Sequence, residues 1–465
     1  MNPILSLVYR FLQGLCILSL RIYFRKIVLL NRQYLTADGP LVVVCNHPNT
    51  IVDPLLAVMY TREKCFLLAN YSLFKNPILG AILRTLFCIP VKRMQDVAEG
   101  TVRNNDDAFR ESREHLTAGR SLFVAPEGSS FTERHVRAFK TGTARIILEA
   151  ESKANFTLNV RVLPIGLTYY DPLKFGSDVV VEVGAPFSAK NWQQMYAENP
   201  HLAAENFTQF IENQFYTLSI HCADVEEDHF LQKIEAIVQS EKSLDLVEKS
   251  QNTDLLSQNT DLLSDTHEGP ISASQGVYFR SKQLLSYIQD WKKTDAAGFD
   301  VFKNEVETYF KRLNQLKIKD VNTTFFNTTK SLALILIGLP FFILGAIVNF
   351  IPAWFSHNLV KWLKLDSSYD TTVRFIAGLF IFFPIFWWLE TRFIFTYFIP
   401  KIANFGFFQT ILLIIAYITS GLLAWRIYTE GVSFLNYQRY KRADTNGLLT
   451  KLRTPIVDKL YFFCK

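Results

Sequence analysis

The sequence predicts a mixed α/β domain, a partly parallel sheet flanked by helices, joined to C-terminal transmembrane helices. Three observations carry this. Between residues 39 and 190 short apolar runs alternate with helix-like stretches, the pattern of strands and helices taking turns along one sheet. From about 190 to 325 the composition shifts to polar helix formers. The last third then holds three long apolar runs, 331–355, 375–399 and 407–425. A bilayer core needs roughly 20 apolar residues in a helix, so each run is long enough to span.

Residues 1–34 are apolar but interrupted by Arg10, Arg21, Arg25 and Lys26. No small-residue cleavage site follows, so the stretch reads as a membrane-associated amphipathic helix rather than a removed signal peptide. Residues 35–220 form the α/β domain. "GPLVVVCNH" is a buried strand and "DPLLAVMYTR" a helix, with Asp53 as N-cap and Pro54 at its first position. "CFLLANYSLF" and "LFCIPVKR" read as strands running into loops, and "NNDDAFRESREHLTAG" as a helix stopped by Gly119. "RSLFVAPEGSS" is strand then loop, "KTGTARIILEAES" a helix, and "VRVLPIGLTYY" and "DVVVEVGAPF" are strands, the first ended by Pro164.

Residues 221–328 are a polar helical region. Within it "SQNTDLL" occurs twice in tandem, at 250–256 and 257–263, and the composition predicts a mobile linker near 250–272. Residues 329–430 are the transmembrane region and 431–465 a basic tail. The second apolar run carries Glu390 and Arg392 near its end, so it spans from about Phe375 to Leu389 or lies tilted. The tail's Arg439, Lys441, Arg442, Lys451 and Arg453 favour the cytosolic side. Because the first run contains Pro340 and Pro352, it is expected to enter and return or to lie at the interface, leaving the later two runs as a crossing hairpin.

The six cysteines are scattered without a CxxC pair, which points to neither a metal site nor a disulfide framework. A net charge of +6 fits anionic lipid headgroups better than nucleic acid.

Polar residues stand where strands should end: Asn46-His47 with Asp53, Lys92-Arg93, Glu127-Gly128, and Lys140 with Gly142. A His and an Asp at the mouth of a sheet are a base with its orienter, or turn chemistry. An arginine ending a strand is by itself a solvated charge, and Pro-Glu-Gly by itself a turn. His115 and His135 belong to no such group and read as surface residues; Asn46 reads as a loop tether.

Taken in order, these blocks resemble the glycerolipid acyltransferase family. Asn46-His47 and Asp53 match its first block, with five intervening residues instead of four. Arg93 matches the second, Pro126-Glu127-Gly128 the third, Phe139, Lys140 and Gly142 the stretch after it, and Val162 to Ile165 the fourth. Ser129-Ser130 stand where the family commonly has Arg. The longer spacing, "GLTYYDPLKFGSDVVVEVGAP" and the apolar tail resemble the fungal-type glycerol-3-phosphate/dihydroxyacetone-phosphate subgroup. The resemblance covers roughly residues 35 to 190.

It implies a glycerol-3-phosphate acyltransferase-like fold in an integral membrane protein whose catalytic domain faces the cytosol. His47 and Asp53 would be catalytic. Arg93, Glu127, Gly128, Ser129 and Lys140 would bind substrate, with no metal and no cofactor beyond acyl-CoA or acyl-carrier protein as co-substrate. Pro48 and Asn49 would absorb the extra residue as a turn. The expected reaction acylates the sn-1 hydroxyl of glycerol-3-phosphate, or of dihydroxyacetone phosphate. Lysophosphatidate acylation at sn-2, thioester or phospholipid hydrolysis, and a catalytically silent lipid-binding protein are the alternatives. Membrane lipids are expected partners; nucleic acid is not.

Overall fold

A computed structural model describes residues 3–35, 39–61, 64–75, 77–85, 87–92, 105–241, 273–323, 326–363, 370–397 and 407–463. The chain divides into two compact units: one takes in the chain up to Val225 and two short later segments ending at Tyr278 and Thr372, and the second holds the rest.

The first unit starts with helix α1 (Pro3–Tyr23) and strand β1 (Lys26–Leu30). It continues through β2 (Leu41–Cys45), α2 (Val52–Val58), β3 (Cys65–Asn70), α3 (Pro77–Thr85) and β4 (Cys88–Val91). Then come α4 (Asp106–Thr117), β5 (Ser121–Val124), α5 (Gly142–Lys153), β6 (Arg161–Tyr169), β7 (Asp178–Val183) and β8 (Phe187–Ser188). Helices α6 (Gln193–Glu198) and α7 (Pro200–Leu218) close the unit.

The sheet has eight strands in the order β1-β7-β6-β2-β5-β3-β4, with β8 paired to β6. All pairings are parallel except those of β6 with β7 and β8. Parallel strands covered on both faces must be apolar throughout, and every residue of β2 and β5 is buried. The core joins β2 and β5 to α5 and α7 through Val42, Leu122, Ile147 and Phe207.

Two sequence expectations for this unit need correction. The N-terminal helix stops at Tyr23, and Lys26–Leu30, read with it, is a sheet strand paired with β7. Pro164 does not end its strand; it sits inside β6 opposite Val44. The position tolerates a residue without an N–H because the β7 ladder begins at Ile165 and β8 takes only Arg161 and Val162. In the same strand Gly166 is required by packing: a Cβ there would lie 1.9 Å from the Leu218 carbonyl oxygen at the end of α7.

The second unit contains α8 (Val225–Ser240), most of α9 (Ala273–Thr294) and α10 (Ala296–Leu316). The linker expected near 250–272 lies outside the described residues. Helix α11 (Thr328–Leu363) runs unbroken through Pro340 and Pro352, against the expectation that the first apolar run turns back. A proline N–H lost in mid-helix is one missing bond, and carbonyls freed in a long helix are readily re-satisfied nearby. The second run is α12 (Asp370–Ala377), a π-helical turn (Gly378–Phe382) and α13 (Phe383–Tyr397). The third is α14 (Phe407–Ala443). Among the described residues three helices are thus long and apolar enough to cross a membrane.

The basic tail is a helix too, α15 (Leu448–Phe463). Its Arg453 is half-buried, 3.0 Å from Asp320 and 2.9 Å from Glu241, so this cation is a packing element rather than a free topological charge. Helices α15 and α10 pack together, Lys459 pairing with Glu305 at 2.7 Å. Chain before the first apolar helix thus packs against chain after the third. Helices α11 and α14 form the antiparallel pair, Ser331 bonding Glu430 and Asn349 reaching the Tyr417 carbonyl.

Candidate active site

Strand β2, central between β5 and β6, delivers Asn46 and His47 at its C-terminal end. The Asn46 amide continues the sheet with its side chain: Nδ2 donates to the Leu167 carbonyl at 2.9 Å and Oδ1 accepts from the Leu167 N–H at 2.7 Å. This tether, expected from the sequence, fixes where the chain leaves the sheet.

His47 Nδ1 lies 2.9 Å from Asp53 Oδ2. Asp53 is fully buried, and an unpaired buried carboxylate is costly. Its partners offset this. Oδ2 also accepts from the Asn49 N–H at 2.6 Å, and Oδ1 accepts from the Tyr169 hydroxyl at 2.5 Å. Asp53 is not the N-cap that its place before Pro54 suggests. Helix α2 begins at Val52, so Asp53 sits in its first turn and turns inward to the histidine.

The extra residue of the His-to-Asp spacer is absorbed one position later than expected. Asn49 and Val52 close a turn, Val52 N–H to Asn49 carbonyl at 2.9 Å, and Thr50 takes a φ of 29°. A β-branched residue there is strained. The loop is held by the Asn49 amide donating to the Pro172 carbonyl at 2.9 Å and by a hydroxyl pair, Thr50 with Thr372.

The loop after β5 brings the second group of residues. The His47 N–H donates to Glu127 Oε1 at 3.1 Å, and the Phe131 N–H donates to the His47 carbonyl at 3.2 Å. Burial pushes the Glu127 carboxyl up to about 8, against the opposing bond from His47. Gly128 has φ 73°, and a Cβ on it would lie 2.6 Å from Lys140 Nζ. The Lys140 N–H donates to the Pro126 carbonyl at 3.0 Å, and its Nζ beside Gly128 puts the cation against the Pro-Glu-Gly turn. Ser129 follows, half-buried. A small cleft opens beside these groups, lined by Pro48, Glu127, Phe131, Arg134, His135 and Tyr169.

The structure therefore brings together His47, Asp53, Glu127, Gly128 and Lys140. Arg93 lies outside the described residues. Just before it, Lys92 is bracketed by the Asn105 side chain through two bonds of 2.9 Å. Tyr169 is the residue that the sequence reading missed. Among the described residues no group of His, Cys, Asp and Glu is placed to hold a metal ion.

Two histidines read as surface residues are not. His115 stacks on Phe66 at 3.7 Å, and burial pushes it down to about 4. It falls on the inward face of α4 with Ala108, Ser112 and Leu116, a helical spacing visible in the sequence. His135 is half-buried, its Nδ1 2.7 Å from the Cys222 carbonyl and its ring stacked on His221.

With Nδ1 facing the carboxylate, the other nitrogen of His47 is the one left to take a proton from a substrate. Residues 26–168 match the family model described as Acyltransferase. The chain is 26% identical over 140 residues to glycerol-3-phosphate O-acyltransferase 2 of Saccharomyces cerevisiae, covering 30% of this chain and 19% of that protein. It is 33% identical over 117 residues to N-acylphosphatidylethanolamine synthase of Arabidopsis thaliana, covering 23% and 39%. Among solved structures, the 1-acyl-sn-glycerophosphate (LPA) acyltransferase of Thermotoga maritima aligns with a TM-score of 0.33 and 18% identity, over 46% of this chain and 83% of that one. The chain thus spans well under two thirds of the curated relatives that it matches.

Proposed function

We propose, from the premise that residues 26–168 form an acyltransferase-family domain, that the chain moves a fatty acyl group from acyl-CoA or acyl-carrier protein to the sn-1 hydroxyl of glycerol-3-phosphate. The observation that carries this reading is the His47–Asp53 pair at 2.9 Å, with the His47 backbone bonded to Glu127. His47 Nε2 takes the hydroxyl proton as the oxygen attacks the thioester carbonyl. Asp53 stabilises the imidazolium so formed. The tetrahedral intermediate collapses, the C–S bond breaks, and the imidazolium returns the proton to the leaving thiolate. No covalent enzyme intermediate is needed. General base catalysis of this kind contributes typically about 10²–10⁴-fold.

Lys140 and Arg93 are the proposed anchors of the acceptor phosphate, the first as a point charge and the second as a planar fork. Gly128 and Ser129 would shape the turn against which it rests. At neutral pH the raised Glu127 carboxyl is mainly protonated and offers a hydrogen to the acceptor. Dihydroxyacetone phosphate would present the same phosphate and a primary hydroxyl. No cofactor beyond the thioester enters the scheme. The apolar helices suit a lipid product, and a cytosolic catalytic domain would meet its acyl donors there.

The test is product analysis with purified protein, two donors and three acceptors. 1-Acylglycerol-3-phosphate from glycerol-3-phosphate supports the proposal. Acylation of lysophosphatidate alone moves the reaction to sn-2. Free fatty acid alone makes the chain a hydrolase, and headgroup binding without turnover makes it a silent lipid-binding protein.

A further inference from the structure

We infer that Tyr169 is a positioning residue of the site, a third member that holds the Asp53 carboxylate in the state and rotation that His47 requires. The inference deepens the acyl-transfer reading and rests on it for its kinetic arm. Tyr169 ends β6, two strand positions beyond Leu167, whose backbone the Asn46 amide grips on both sides. One strand thus anchors both ends of the catalytic loop: Asn46 just before His47, and Asp53 just after the spacer through the 2.5 Å bond from the Tyr169 hydroxyl. Asp53 has no exposure to water, so Oδ1 has no solvent donor to fall back on. The tyrosine ring is itself buried and tilts against Phe24 at 5.8 Å, which leaves the hydroxyl little freedom.

The consequence has a definite sign. The state competent for base catalysis is a neutral imidazole beside an ionised carboxylate. The Tyr169 hydroxyl stabilises the carboxylate, and therefore that state, over any form in which the pair has gained a proton. Removing the hydroxyl raises the proton affinity of the pair, whichever member holds the proton. Other titratable groups face the same pair: the Cys45 thiol from β2 and Glu127 from the loop after β5 face the carboxylate, the latter also within reach of Arg137, and the Tyr23 hydroxyl from α1 faces Tyr169. Burial holds Cys45 and Tyr169 protonated well above neutrality, and Glu127 titrates near 8, so none of these competes on the acidic side.

The experiment compares wild-type full-length protein with Tyr169→Phe, which keeps the ring and its packing. The acidic limb of kcat/KM against pH is expected to move up by about one unit, a tenfold change in proton affinity. At pH 6 kcat should fall about tenfold with both KM values within about twofold. In an Asp53→Asn background the same change should add nothing further. In parallel, the His47 ring titration is followed by NMR on histidine-labelled protein, assigned with His47→Ala; its midpoint should rise with the limb. A lower kcat with limb and midpoint in place would reduce Tyr169 to packing and overturn the inference, as would no change at all. An NMR shift in a protein that acylates no acceptor would support the Tyr169 role while removing the proposed function.

Discussion

Two asparagines show how differently the two units are built. In the sheet unit, Asn46 stands at the end of a strand buried from end to end, and its amide replaces a ladder bond at the edge of an apolar core. In the helical unit, Asn349 lies inside α11 and donates to the carbonyls of Gly345 at 3.0 Å and Tyr417 at 3.3 Å, while its own oxygen accepts from Trp387 Nε1 at 3.2 Å. Around it the apolar side chains face outward: Ile337, Leu412 and Trp388 are 73%, 65% and 62% exposed. Burial of apolar surface assembles the sheet unit and drives polar groups to the strand ends, where they become a site. Helices made for lipid gain nothing from burying one leucine against another, so small residues and a few hydrogen bonds hold them. Gly345 fits this, because a Cβ there would lie 2.2 Å from the Ser420 carbonyl oxygen.

The comparison breaks first at Asp53. If the polar groups of the sheet unit are chemistry and not architecture, Asp53→Asn should lower kcat by about 10³–10⁴-fold, since the amide cannot stabilise the imidazolium. The readout is steady-state kinetics beside a thermal unfolding scan that moves little.

A smaller effect sharpens the same contrast at Glu127. Its carboxyl is raised to about 8, so it passes from neutral to charged between pH 7 and 9. The charged form repels a phosphorylated acceptor. The acceptor KM of the wild type should therefore rise about tenfold across that interval, while Glu127→Gln, neutral throughout, should stay flat. A parallel rise in the variant would assign the effect to another group.

The smallest effect belongs to the helical unit. Asn349→Leu removes hydrogen bonds that average about 0.6 kcal/mol each within membranes. The detergent-solubilised protein should unfold a few degrees lower with kcat unchanged. A loss of turnover comparable to that of Asp53→Asn would mean that the two units are not as separate in role as their construction suggests.

How far the sequence reveals this molecule follows from the range of each interaction. Strands β2, β5 and β6 are apolar runs stopped by polar residues, and His47, Glu127 and Lys140 stand out because polar side chains at such stops are unusual. Asp53 was legible as a partner but also as a cap, since both roles ask for an acid before a helix. Tyr169 was hidden: its value depends on β6 lying beside β2, a pairing between residues over 100 positions apart that no local pattern encodes. β1 was hidden for the same reason, because "KIVLL" continues the apolar helix before it and only β7 makes it a strand. The unbroken α11 was obscured by prolines, whose cost in water does not carry over to a long apolar helix.

The central claim is that His47 is the base of an acyl transfer. Its most direct test supplies purified wild type and His47→Ala, from a host lacking its own glycerol-3-phosphate acyltransferase, with radiolabelled acyl-CoA and glycerol-3-phosphate, and separates the lipids formed. The account predicts labelled 1-acylglycerol-3-phosphate from the wild type and at least about 10³-fold less from a variant that unfolds at the same temperature. A folded His47→Ala protein that makes the product at a rate near that of the wild type would contradict it.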